Sequence, residues 1–217
     1  MPAIQQKIPV DNRLVMAGEP WSAYTRWLKL FDERRHVRIT YDRGALEIMT
    51  LTHEHEHRAA VLARLVVAWT EERNLPLKTG KSTTFRLREI KRGLEPDECF
   101  WIANESVVRN KERLDLRQDP PPDLVIEIDV TNSCIPRLPI YAALKMPEVW
   151  RIDQGVLSFQ ILQPDGTYGA AAVSRALPPL TPADFDRYLV LRGHLDENAL
   201  VRLFRDWVRQ LPPPPTP

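Results

Sequence analysis

Two cysteines in 217 residues, Cys99 and Cys134, allow at most one disulfide, so the fold is not a framework stapled by covalent cross-links. Charge excess is also missing. The 30 Lys and Arg against 29 Asp and Glu leave +1, which excludes a global polycation and confines any attraction for a polyanion to local patches. No apolar run approaches the roughly 18 residues of a membrane-spanning helix. The sequence has no basic segment leading into an apolar run and a small-residue cleavage site, and the cytoplasm is the expected location. Internal repeats are lacking as well. The 43% hydrophobic content suffices for a real core, expected as one domain over residues 1–210 followed by a proline-rich tail, 211–217, of polyproline II character.

The stretch around which the rest is organised is Pro121-Pro122-Asp123-Leu124-Val125-Ile126-Glu127-Ile128-Asp129-Val130. A continuous β-branched and aliphatic run behind a Pro-Pro brake, short and poor in helix formers, predicts a buried strand. With a period of two, Leu124, Ile126, Ile128 and Val130 share one face, and Val125, Glu127 and Asp129 the other. Two carboxylates side by side on a sheet face need a cation, hydrogen bonds or open water, since an unpaired buried carboxylate costs several kcal/mol or titrates to neutral.

Around this strand, residues 1–18 carry little signal and are expected as a tail or clasp. Pro20 opens a helix with Trp21, Tyr24, Trp27, Leu28 and Phe31 at spacings of three and four. Residues 36–41 and 45–49 flank Asp42-Arg43-Gly44 as a hairpin, and residues 54–73 form a long amphipathic helix suited to packing on a sheet. Strands are predicted at 83–88, 98–102, 148–153, 156–162 and 168–173. Helices are predicted at 138–144, 181–190 and 196–210. The order strand, helix, strand across residues 124–153 implies a right-handed parallel crossover.

Asp97, at a strand entrance after Pro96, lies some thirty residues before Glu127 and Asp129. Acids converging from adjacent strands are hard oxygen ligands suited to Mg²⁺ or Mn²⁺, and a metal so held lowers the pKa of a bound water and screens a phosphate's charge. The competing reading makes Asp97 a turn cap and sets Glu127 and Asp129 on a solvated sheet face. Removing one acid from such a cluster is expected to relieve like-charge repulsion. The run His53-Glu54-His55-Glu56-His57 matches H-E-x-x-H, the pattern of a zinc peptidase with ligands at i and i+4 and a glutamate base, although it falls at a helix start among polar neighbours. Lys78, Lys81, Arg86 and Arg88 form a basic segment suited to a phosphate backbone, or to solubility alone.

The segments Leu46-Glu47-Ile48-Met49-Thr50, His55-Glu56, Gly93-Leu94-Glu95-Pro96-Asp97, Pro122 to Asp129 and Ile140 to Trp150 together resemble the Uma-type endonucleases of the PD-(D/E)XK superfamily over roughly residues 20–190. The resemblance implies an α+β, restriction-endonuclease-like core: a mixed central sheet flanked by helices, with an N-terminal helix and a β-hairpin. It implies metal ligation by Asp97 and Glu127, with Asp129 where the superfamily usually carries lysine. Arg137 stands where relatives often carry Lys, as a migrated cation that cannot act as a base at ordinary pH. His55 falls at the position of a histidine near the nuclease site, with Glu54 or Glu56 as a helix-borne metal partner. The expected activity is Mg²⁺- or Mn²⁺-dependent hydrolysis of DNA phosphodiester bonds, with assembly as a homodimer left open. The alternatives are a nucleic-acid-binding or assembly protein that has lost catalysis, and the zinc peptidase.

Overall fold

The computed structural model describes residues 12–31, 37–129 and 134–212, the side chain of Asp129 excepted. Residues 1–11 of the expected clasp, Val130 and most of the proline-rich tail lie outside the described residues. The elements run β1 (Asn12–Met16), α1 (Trp21–Leu30), β2 (Val37–Asp42), β3 (Ala45–Thr50), α2 (His53–Glu72), β4 (Lys78–Thr79), β5 (Phe85–Leu87), β6 (Arg92–Leu94) and β7 (Glu98–Trp101). They continue with α3 (Glu105–Val108), β8 (Leu124–Asp129), α4 (Leu138–Ala143), β9 (Glu148–Asp153), β10 (Val156–Leu162), β11 (Tyr168–Ala171), α5 (Pro182–Leu189) and α6 (Glu197–Gln210).

Two sheets form rather than one. A six-stranded sheet has the order β11-β10-β9-β8-β7-β4, and an antiparallel five-stranded sheet has the order β1-β3-β2-β6-β5. The hairpin foreseen at 36–49 is therefore the middle of a second sheet. Its connection, Arg43 and Gly44 at φ 48° and 105°, is a two-residue turn whose positive φ values match the strand twist. Residues 12–16 correct the tail reading: they pair with β3 as an edge strand, Arg13 opposite Met49. In the six-stranded sheet only β8 and β9 run parallel, joined through α4 as the strand, helix, strand order requires.

The alternation of β8 divides the core. Leu124, Ile126 and Ile128 face Leu62, Leu65, Val66 and Trp69 of α2, with Phe185 of α5 and Phe204 of α6 in the same cluster. Val125 lies on the other side with Val149, Ile140 and Tyr141, alongside Phe85 and Leu94 from the second sheet. Each such side chain removed from water contributes about 1.5–3 kcal/mol, so both faces of β8 are held by packing. A polar group on either face is consequently enclosed by protein.

Candidate active site

The β7–β8 register sets Glu98 opposite Ile126, and one step further along the same antiparallel pairing brings Asp97 opposite Glu127. Two acids thirty residues apart in sequence thereby become cross-strand neighbours. Both are enclosed, Asp97 at 2% and Glu127 at 5% exposure, which overturns the solvated-face reading for Glu127. Asp97 Oδ2 accepts the Ile128 backbone N–H at 2.8 Å and lies 2.9 Å from His55 Nε2. The helix cap aims that histidine: Thr52 accepts the His55 N–H through its side chain and starts α2 at His53, turning the His55 ring inward. Burial alone would raise the Asp97 carboxyl, but the His55 ring, the Arg137 charge and the Ile128 N–H hold it below its ordinary value.

Glu127 is gripped from α4. Arg137, the cap residue before Leu138, donates from Nη1 to Glu127 Oε2 at 2.5 Å, and Tyr141 one turn later donates its hydroxyl to Oε1. Repulsion between acids is thus not the governing feature. Arg137 and the hydrogen bonds compensate both carboxylates, so removing either acid uncovers buried partners instead of relieving strain. Burial pushes the Glu127 carboxyl up to about 7, the pull of Arg137 notwithstanding, and Asp97 adds to the rise. A carboxyl with a raised folded-state value binds more protons folded than unfolded, so its contribution to stability is present at low pH and declines as pH rises from about 4.5 to about 7. Urea titrations across that window should show a decline on the order of 3 kcal/mol that Glu127→Gln flattens. An equal decline in the variant would assign it to another group.

Glu127, Arg137 and Tyr141 line a cleft of about 450 Å³ whose other walls include Arg13, Met49, Leu138, Val149 and Arg151. Arg151 is placed there by the parallel register, directly opposite Glu127 on β9. Glu47, fully buried on β3, accepts the Cys134 N–H and adds negative potential at Arg137.

The other expected residues separate. Asp129 is on β8 opposite Asp153, its side chain outside the described residues. Lys78 takes a different part from the expected phosphate contact: its ammonium donates to the carbonyls of Val108, Arg109 and Lys111 at 2.6, 3.2 and 2.7 Å, which uses all three of its hydrogens. Lys81 reaches Glu98 at 3.1 Å and Glu56 at 3.5 Å, while Arg86 and Arg88 are exposed beside a groove of about 930 Å³.

The His53–His57 run does not act as a unit. His55 faces Asp97, whereas His57 lies outward with Nε2 3.1 Å from Glu197 Oε1 and Nδ1 3.3 Å from Arg192. Glu54 is pulled down to about 2, first by Arg192 and also by Arg58, and a carboxylate so acidic is a poor proton acceptor for the zinc-peptidase role. The two glutamates pair elsewhere than Asp97: Glu54 with Arg58 and Arg192, and Glu56 with Lys81 and the buried Arg38.

Four residues near the acids, Tyr141, Glu47, Arg38 and Glu95, have no role assigned from the sequence alone. Tyr141 is detectable as the residue four positions after Arg137 on one helix face. Glu47 gives no such signal, being a strand acid among many, and neither does the Arg38–Glu95 ion pair at 2.9 Å, whose partners belong to different strands and segments.

Among the described residues no three His, Cys, Asp or Glu side chains converge as a metal-binding group. The donor set is two carboxylates. That suits a hard cation that keeps several waters, and Asp97 Oδ1 is buried with no hydrogen-bond partner among the described residues, as an oxygen meant for a cation would be. Each Glu127 oxygen retains a lone pair beyond the one its donor uses, so the residues present fit Mg²⁺ or Mn²⁺.

A mixed sheet flanked by helices, with an acid pair at adjacent strands and a cation from the following helix, is consistent with the restriction-endonuclease-like class of α+β proteins. The chain belongs to the Uma2 family, described as "putative restriction endonuclease", whose profile matches residues 21–189. No curated protein matches the chain.

Proposed function

We propose that this protein is an endonuclease that hydrolyses DNA phosphodiester bonds with Mg²⁺ or Mn²⁺ held by Asp97 and Glu127. The observation that carries the reading is the pairing of these two enclosed acids across β7 and β8 with Arg137 beside them. When bound, the ion supplies a water of lowered pKa and screens the charge of the phosphate. The chain's own groups have separate tasks. His55 orients Asp97, Tyr141 fixes the Glu127 carboxylate, and the Arg137 guanidinium stabilises negative charge that grows at the phosphate without taking a proton. The test is to incubate purified protein with supercoiled, linear and single-stranded DNA plus Mn²⁺, beside a Glu127→Gln control. Product from the parent only supports the reading, and no product from any substrate removes it.

A second reading keeps nucleic-acid binding and drops hydrolysis. It is favoured by one observation: the cation at Glu127 is an arginine, which cannot accept a proton, with no lysine at the usual third position. Under either reading Lys81, Arg86 and Arg88 contact the phosphate backbone. Neutralising all three is expected to lower affinity and to reduce the slope of log K against log salt by about 0.7–0.9 per lost contact. An unchanged slope in anisotropy titrations places the electrostatic surface elsewhere.

A further inference from the structure

Glu127 of the proposed site lines a cleft, and the size of that cleft restricts what can reach it. Asp97 and Glu127 are 2% and 5% exposed, and the space beside Glu127 is about 450 Å³, the size that encloses one ligand-sized unit. A duplex carries its phosphates on a stiff exterior and cannot lower one into such a space without separating its strands. A single strand can, because its backbone is flexible and its bases are free to turn aside.

The walls match such a strand. Three guanidinium groups from three elements line the cleft: Arg13 on β1, Arg137 at the start of α4, and Arg151 on β9 directly opposite Glu127. Arg151 also pairs with Asp153 at 3.0 Å, which holds it near the surface of the sheet with a third of its side chain exposed. Between the arginines stands Leu138, a partly exposed apolar surface against which the face of a base packs, with Met49 and Val149 buried beneath it, while guanidinium planes both stack on bases and pair with phosphates. A cationic track with apolar patches is the recognition chemistry of single-stranded nucleic acid. With a net charge of only +1, attraction for nucleic acid rests on local clusters of cations such as this one.

We propose that the cleft between the two sheets is a single-stranded DNA subsite, with Arg13 and Arg151 contacting phosphates on either side of the one presented to Glu127 and Arg137. This names the substrate class of the endonuclease reading and rests on it for the cleavage step only. The binding step stands by itself.

Affinity of the full chain for a fluorescein-labelled single-stranded deoxyoligonucleotide, its duplex and the corresponding RNA, measured by anisotropy in EDTA, tests the subsite without any cleavage. The single-stranded DNA is expected to bind at least about tenfold more tightly than the duplex, and Arg13→Gln with Arg151→Gln to weaken it at least about tenfold while the duplex changes little. Should that double variant unfold, Leu138→Glu places a negative charge on the same wall at a helix first turn, where glutamate is tolerated, and must weaken the single strand likewise. Equal affinity for duplex, preference for RNA, or parental affinity in the folded variants each overturns the subsite. In parallel, the same DNA is incubated with Mn²⁺. Arginine-dependent binding without cleavage retains the subsite while the endonuclease reading fails, and cleavage of duplex at the single-strand rate retains the endonuclease and overturns the subsite.

Discussion

Glu127→Ala is expected to abolish cleavage and to lower the melting temperature of the metal-free protein together. Arg137 is only 11% exposed and gives Glu127 a hydrogen bond at 2.5 Å, so alanine leaves a guanidinium enclosed without its counter-charge. Breaking a buried pair from one side costs about 3–5 kcal/mol, which for a chain of this size corresponds to a fall of about 6–20 °C. Glu127→Gln keeps an oxygen for one donor and nearly the same volume, yet removes the charge a cation needs. It should lose cleavage just as completely, with a much smaller thermal shift. The same contrast holds at Asp97. Alanine there strands the Ile128 N–H, at about 1–3 kcal/mol, whereas asparagine can still accept it. Cleavage at the parental rate by either amide variant would take that acid out of the site. Equal melting shifts for alanine and amide would mean that the lost charge, common to both variants, and not the volume and acceptor oxygen that the amide keeps, sets the cost of changing Glu127.

What the sequence could disclose follows from which signals are local. The period of two in Leu124 to Asp129 separates Ile126 from Glu127 by itself, and the strand has those faces. Hydrophobic spacing likewise predicts α2, and the turn residues Arg43-Gly44 predict the hairpin. Alternation, however, says which side a carboxylate takes and nothing about whether that side is covered, because the covering α4 and second sheet arrive through tertiary packing. Asp97 and Glu127 become neighbours through a nonlocal register that no spacing rule reports. Lys78 shows the same limit for charge: the sequence counts a cation, while the fold spends all three of its hydrogens on carbonyls thirty residues away. Strands as short as β4 and β6 offer too few residues for a periodic signal and exist because a longer neighbour pairs with them. His55 was legible as a candidate, yet only the Thr52 cap explains why it, and not His53 or His57, faces the acids.

Arg137→Ala should lower the turnover rate by about a hundred- to a thousandfold, the loss typical when one preorganised donor to developing negative charge is removed. The pH profile separates this residue's two effects. Glu127 titrates at about 7 with Arg137 alongside, so cleavage that needs its ionised form rises with pH through about 7. Taking away the guanidinium removes the largest influence opposing burial, drives the carboxyl higher, and moves the rising limb to more alkaline pH. Arg137→Lys restores a charge at Glu127 and should return the limb toward its parental position. It recovers only part of the rate, since an ammonium lacks the planar fork that can bond Glu127 and a phosphate oxygen at once. A rate loss with an unmoved limb would confine Arg137 to the phosphate. A moved limb with full rate at high pH would confine it to Glu127, where its role is to keep an enclosed carboxylate charged for the cation. Parental rate and limb together would place the arginine outside the chemistry and leave the pairing seen with Glu127 as a purely structural clasp between α4 and the central strand.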